Sequence, residues 1–93
     1  MQKIVLNPDQ RYNMSRAILS ASIDDAYWPD RVMVNVARAL ACKPPVKRFR
    51  GILPATRVKL HEQVLSASVS RSHLSDAQIL GYYEATAPVR DRK

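Results

Sequence analysis

The sequence predicts a mainly α-helical protein in which one pair of helices occurs twice. The segment Ile18–Ile23 recurs as Val64–Val69, 46 residues later (64 − 18 = 46), and apolar positions elsewhere coincide at the same offset. Apolar residues also recur at helical spacing in stretches separated by prolines and polar turns. Because internal repeats indicate architecture, we expect a single helical domain over residues 1–86, with repeats at about 1–42 and 47–86. Chance similarity is the alternative, since the identity is short.

The first repeat is predicted to contain a short strand and two helices. Residues 2–7 alternate polar and apolar side chains up to a proline, which is typical of an edge strand. Residues 9–22 form the first helix, which carries two apolar stripes and therefore needs cover on more than one side. Pro29 suits the first turn of a second helix over residues 29–42, which a Lys-Pro-Pro sequence ends.

The second repeat follows the same plan. Residues 47–53 are a candidate second strand, and residues 55–69 form a helix with the same two stripes. Ser75, with glutamine three residues on, predicts a capping box at the start of a helix over residues 75–86. Residues 87–93 are expected to be a mobile basic tail.

The inward apolar positions of these helices predict the core. Tyr27, Trp28, Tyr82 and Tyr83 could instead form an exposed patch for a protein partner, but core packing is the prediction. The aliphatic residues expected to be mostly buried are Met14, Ile18, Leu19, Val32, Met33, Val36, Leu60, Val64, Leu65, Ile79 and Leu80.

The charge balance favours an anionic partner. Fifteen Lys and Arg residues against eight Asp and Glu residues give a net charge of +7 and a pI near 10.1, which is typical of proteins that bind nucleic acid. An acidic protein surface is the alternative partner. We expect no membrane association, because there is no signal peptide and no apolar run long enough to span a bilayer, and we expect a cytoplasmic protein. A chain of this size would gain stability from forming a homodimer.

Nothing in the sequence predicts catalysis. His61 and His73 are isolated histidines that we expect to be surface or helix-packing residues. There is no glycine-rich phosphate loop or nucleophile motif. The single cysteine, Cys42, excludes an internal disulfide and a cysteine-based metal cluster. We therefore expect a protein that is not an enzyme and has no cofactor or metal site.

The basic stretch of residues 43–59, which joins the two repeats and continues into the second, is the strongest functional signal. Its guanidinium and ammonium groups suit phosphate, and Phe49 lies between two arginines, where it could stack on a base. The alternative is a solvated linker whose phenylalanine packs in the core. The candidate nucleic-acid contacts are Lys3, Lys43, Lys47, Arg48, Phe49, Arg50, Arg57 and Lys59.

Two stretches, Val5–Arg11 and Gly51–Arg57, each read as a strand end, a proline and a polar first helical turn. In this the chain resembles the ribbon-helix-helix family of DNA-binding proteins, and the repeat resembles that family's tandem members. The resemblance implies that two strands pair into an antiparallel ribbon that enters the DNA major groove. The outward side chains would then be Lys3, Val5, Asn7, Arg48 and Arg50. Gly51 weakens the second strand, and an all-helical bundle without a ribbon is the alternative fold.

Two functions follow from these observations. The first is a small DNA-binding regulator that contacts duplex DNA or another nucleic acid through residues 43–59. The second is a small inhibitor or adaptor, of the kind found in phages and mobile elements, that occupies an acidic or nucleic-acid-binding surface of a larger complex.

Overall fold

The computed structural model describes residues 4–90 as helices joined by turns and extended segments. The prediction of a mainly helical protein is confirmed, although the second helix ends at Leu40 rather than at residue 42. Single 3₁₀ turns at Asp25–Tyr27 and Arg71–His73 precede the second and fourth helices. The helices are α1 (Pro8–Ser22), α2 (Asp30–Leu40), α3 (Pro54–Val69), α4 (Asp76–Ala85) and the short α5 (Ala87–Arg90).

No strand forms within residues 4–90, so the ribbon expected from residues 2–7 and 47–53 is not present in the part of these segments that the structure describes. The N-terminal backbone donors are used elsewhere. The Leu6 N–H donates to Asp76 Oδ2 at 2.9 Å, and the Asn7 N–H donates to a glutamine side chain in α1 at 3.1 Å. Side chains therefore satisfy these two N–H groups, which a strand partner would otherwise need to accept. Lys3 lies outside the described residues.

Capping side chains begin two of the helices. The Asn7 side chain accepts from the Gln10 N–H and the Asn7 N–H donates to the Gln10 side chain, and Ser75 and Gln78 form the same reciprocal pair at α4. The capping box predicted from Ser75 is thus present. Proline lies in the first turn of α1 and of α3, where its missing N–H has no intrahelical partner to lose.

The C-terminus of α2 closes with a Schellman motif. The Cys42 N–H donates to the Ala39 carbonyl at 3.0 Å, and the Lys43 N–H donates to the Arg38 carbonyl at 2.8 Å. Cys42 occupies the left-handed position of this motif at φ 59°, which usually belongs to glycine. The reversal directs the chain out of the bundle and into the basic linker.

The four long helices pack mainly on helices from the other half of the chain. α1 packs on α4, α3 packs on α2, and α2 and α4 pack on each other, while α1 and α3 touch less extensively. α2 and α4 approach closely at Gly81, where an added Cβ would lie 2.9 Å from the Ala39 Cβ. Each half therefore completes its core only with the other half.

The core contains the inward residues of all four long helices. Trp28 and Tyr82 join it and pack edge to face, with ring centroids 6.2 Å apart, so these two aromatics pack as predicted. The prediction of core packing was wrong for Tyr27, which is 84% exposed. The prediction was wrong for Leu19 and Leu65, which are 42% and 48% exposed. No further layer covers the second apolar stripe of α1 or α3 within the described chain. The buried apolar residues are Ile18, Trp28, Val32, Met33, Val36, Val64, Ile79 and Tyr82.

The helices and 3₁₀ turns of the two halves begin at positions related by the 46-residue offset seen in the sequence. α3 begins 46 residues after α1 (54 − 8 = 46), and the 3₁₀ turns and the starts of α2 and α4 are related by the same number. Two ion pairs follow it as well: Arg11 Nη1 lies 2.6 Å from Asp76 Oδ1, and Arg57 Nη1 lies 2.6 Å from Asp30 Oδ1. Each arginine also donates through Nη2 to the carbonyl two residues before its aspartate, at 2.5 Å and 2.7 Å. Each arginine thus joins the start of one helix to the start of a helix in the other half.

The C-terminal segment departs from the expected mobile tail over its first residues. Ala87–Arg90 forms α5, and the Arg90 guanidinium lies 3.7 Å from the centre of the Tyr83 ring. Arg90 Nη2 also donates to the Tyr83 carbonyl at 2.5 Å. These contacts hold the segment against α4 through residue 90, and residues 91–93 lie outside the described part of the chain.

Candidate nucleic-acid interface

The basic linker, residues 41–53, is fixed at its beginning and open further along. Arg38 Nε donates to the Pro44 carbonyl at 2.5 Å, and the Val46 N–H donates to Asn35 Oδ1 at 2.9 Å. Residues 47–52 make no hydrogen bond to the helices that the structure describes. The linker thus leaves α2 in a defined direction and then forms an extended loop.

Most of the predicted cations lie on this loop and face solvent. Lys43, Lys47, Arg48 and Arg50 are exposed, and Lys59 is exposed on α3. Across residues 4–90 the structure shows no ion pair for any of these five side chains. Their charges are therefore free to interact with an external anion.

Arg57 differs from the other predicted contacts because it is already engaged. Its guanidinium pairs with Asp30 and donates to the Trp28 carbonyl, and its side chain is only 23% exposed. A phosphate would have to displace both partners. We therefore expect Arg57 to act in the structure of the bundle rather than at the interface.

Phe49 is half-buried between its exposed arginine neighbours. Part of its ring is covered by the protein, so the structure does not present it as the free stacking surface that the sequence suggested. Ile52 is half-buried in the same loop, and these two side chains are the linker's apolar contacts after Val46.

A groove beside the linker is lined in part by Arg31, a cation that the sequence analysis did not identify as a candidate contact. The groove has a volume of about 1190 Å³ and lies along α2 and α4, with Arg31 and Lys43 among its lining residues. Arg31 is exposed. The residues Arg31, Asn35, Ala39 and Cys42 all line it at helical spacing, so the period of α2 could have placed Arg31 on the linker's side.

The groove itself is mostly apolar. Small residues of α2 and α4 line it, and prolines from the linker together with the extended N-terminal segment flank it. Its acidic lining residues are Asp76, which pairs with Arg11, and Glu84, which is exposed. The groove can therefore accept an apolar side chain as well as a nearby anion.

Polar side chains of α3, α4 and the first 3₁₀ turn lie close together. The Tyr82 hydroxyl lies 2.8 Å from Ser68 Oγ, which also donates to the Val64 carbonyl. Burial raises the pKa of Tyr82 to about 12; the hydrogen bond to Ser68 opposes this shift and the nearby Asp25 carboxylate adds to it. His61 Nδ1 lies 3.4 Å from Asp25 Oδ2. The Tyr82 and Ser68 hydroxyls thus satisfy each other, whereas Asp25 Oδ2 and Trp28 Nε1 are buried without a hydrogen-bond partner among the described residues.

Asp76 serves both the N-terminal segment and α1. The Leu6 N–H and the Arg11 guanidinium donate to its two oxygens, at 2.9 Å and 2.6 Å. The hydrogen bond from Leu6 and then that from Arg11 hold the pKa of Asp76 below its ordinary value. This carboxylate is therefore committed to internal contacts and does not oppose an anionic ligand.

Comparison with family models, with curated proteins and with solved structures gives no match to this chain. None of the described helices combines the length and apolar character needed to cross a membrane. Between residues 4 and 90, no three His, Cys, Asp or Glu side chains come together as a metal-binding group.

Proposed function

We propose that this protein is a small DNA-binding regulatory protein that contacts phosphates through its basic linker. The observation that supports the proposal is the set of exposed cations that form no ion pair within the described chain, Lys43, Lys47, Arg48 and Arg50, with Lys59 on the adjoining helix. Such groups bind phosphates by releasing condensed counterions, and this contributes strongly to affinity for duplex DNA. Sequence preference would require additional contacts with base edges.

The distribution of acidic residues strengthens the proposal. Asp30 and Asp76, which begin α2 and α4, are each neutralised by an arginine from the other half. Residues 43–61 contain no acidic residue at all. The protein's excess positive charge is therefore concentrated where the chain is most open.

We also propose that the chain is an internal duplication related to tandem ribbon-helix-helix proteins. The 46-residue offset shared by helix starts and by the reciprocal arginine–aspartate pairs supports the duplication. The linker lacks strand pairing, so the proposed DNA contact uses an extended loop rather than a ribbon. A loop of this kind can follow the phosphate backbone without entering the major groove.

Salt-dependent binding tests the proposed function. Fluorescence anisotropy with a labelled random duplex, measured over a series of salt concentrations, should give a linear fall of log K with log salt concentration. Arg48→Gln should flatten the slope by about 0.9, and Arg48→Gln with Arg50→Gln by up to about 2. Arg16→Gln removes the same charge from the outer face of α1, away from the linker, and should leave the slope unchanged when the protein is dilute enough to be monomeric. No binding at low salt, or equal slopes in all variants, would contradict the proposal.

A second candidate function is that of an inhibitor or adaptor that binds a protein surface, and the apolar groove along α2 and α4 favours it. Under this hypothesis the groove receives the partner's apolar side chains and the linker provides electrostatic attraction. An Ala85→Trp variant would place a large ring at the groove. Loss of partner binding in this variant, with duplex binding retained, would identify protein recognition as a separate activity.

A further inference from the structure

The outer faces of α1 and α3 carry apolar side chains that the core does not use. On α1 and its C-cap residue they are Tyr12, Leu19 and Ile23, and on α3 they are Val58, Leu65 and Val69. The spacing within each set places its members on one side of the helix, roughly a third of a turn around from the buried residue at position 18 or 64. We call these sets the outer stripes. Ile23 and Val69 are the most open members, at 77% and 76% exposure.

The two outer stripes correspond position by position. Each α3 residue follows its α1 counterpart by 46 residues, as Leu65 follows Leu19. Two such apolar stripes on neighbouring helices form an exposed apolar surface, and surface of this kind usually marks an interaction site.

The charged residues within the stripes are opposite in sign. Arg16 lies between Tyr12 and Leu19 on α1, and Glu62 occupies the corresponding position on α3. Both are exposed, and neither forms an ion pair among the residues that the structure describes. The Arg16 guanidinium lies 5.7 Å from the centre of the Tyr12 ring and so extends over its own stripe.

We infer that the outer stripes are the surface on which a second copy of this chain binds, with α1 of one copy packed on α3 of the other. In a twofold dimer this pairing occurs twice, because each copy presents both helices to its partner. It places Arg16 near the partner copy's glutamate at position 62, and Glu62 near the partner copy's arginine at position 16. Pairing α1 with α1 instead would bring like charges together and is disfavoured.

The positions of the charges allow this contact in either helix direction. Arg16 and Glu62 occupy the same place in their stripes, so parallel packing sets them side by side. Antiparallel packing separates them by about one helical turn, roughly 5.4 Å, which the long arginine side chain can bridge. Closing the interface would also cover Leu19 and Leu65, the two leucines that the isolated bundle leaves exposed.

Sedimentation equilibrium of the full chain, up to about 1 mM, tests the inference. The wild type should show a monomer–dimer equilibrium. Arg16→Glu and Glu62→Arg should each weaken dimerisation by about tenfold, since either change turns two favourable exposed contacts into like-charge contacts. The double variant R16E/E62R should restore the wild-type dissociation constant, because the two signs are then exchanged but still opposite.

Leu19→Asp combined with Leu65→Asp should abolish the dimer while retaining helix content by circular dichroism. Tyr27→Asp is the matched control, because Tyr27 is 84% exposed and lies outside the stripes; it should leave the dissociation constant unchanged. If the leucine variant unfolds, the charge-exchange series decides alone. A wild type that stays monomeric, or failure of R16E/E62R to restore dimerisation, overturns the inference. So does a monomer whose stripes bind lipid vesicles instead of a second copy.

Discussion

Replacing Arg57 with alanine should lower the free energy of unfolding by about 2 kcal/mol. The ion pair with Asp30 is partly exposed and contributes up to about 1 kcal/mol. The 2.7 Å hydrogen bond to the Trp28 carbonyl has a charged donor and contributes about 1.5 kcal/mol or more. Alanine favours the helix slightly more than arginine and offsets little of this loss. For a domain of this size the change corresponds to a fall in Tm of roughly 10 °C.

Urea and thermal denaturation measure this loss, and the salt slope of duplex binding measures whether Arg57 contacts phosphate. We expect reduced stability with an unchanged slope. Arg11→Ala is the matched control, since Arg11 makes the corresponding contacts in the other half, and should cost a similar amount. Arg57→Lys retains one charge but not the planar pair of donors, so its stability should be intermediate. Wild-type stability in Arg57→Ala together with a flatter salt slope would refute the reasoning.

Two further predictions concern stability. Because the pKa of Tyr82 is raised to about 12 from a reference of 10.0, its contribution to the free energy of unfolding is fully present below pH 10 and is lost as the pH rises towards 12. Urea titrations at increasing pH should show a loss of roughly 2–3 kcal/mol, which Tyr82→Phe should remove. An equally steep loss in that variant would contradict the assignment. Cys42→Gly should raise the free energy of unfolding by about 0.5–1 kcal/mol, because the left-handed position at φ 59° strains any residue with a Cβ. Cys42→Ala should give no such gain. Equal stabilisation by both variants would argue against a backbone effect.

The helices could be predicted from sequence because their signals are local. Periodicity, the Ser75 cap and the prolines all act within one or two turns, and each helix lies close to its predicted position. The choice between two apolar stripes on α1 was not local. It depends on how many helices surround α1, so Leu19 satisfied the pattern and yet remained exposed.

The strand and site predictions also depended on contacts with residues distant in sequence. Alternation in the N-terminal segment suggested a strand, but Asp76, distant in sequence, takes the Leu6 N–H. Likewise, the charge of Arg57 suggested a phosphate contact, whereas its partner Asp30 became apparent only once α2 and α3 were packed together. The exposed linker cations were easier to identify, because a segment without acids or regular structure leaves them few internal partners.

The open linker has a consequence for how this protein can evolve. Since each half of the chain packs on the other, the linker beyond Pro44 and Val46, which are hydrogen-bonded to α2, mainly connects α2 to α3. Doubling the length of a flexible connection costs only about 0.6 kcal/mol of closure entropy. Phe49 and Ile52 are half-buried. The linker's length and the residues at its exposed positions can change with little effect on the core. Retention of arginine and lysine at positions 47, 48 and 50 would then reflect selection on binding, separate from selection on folding.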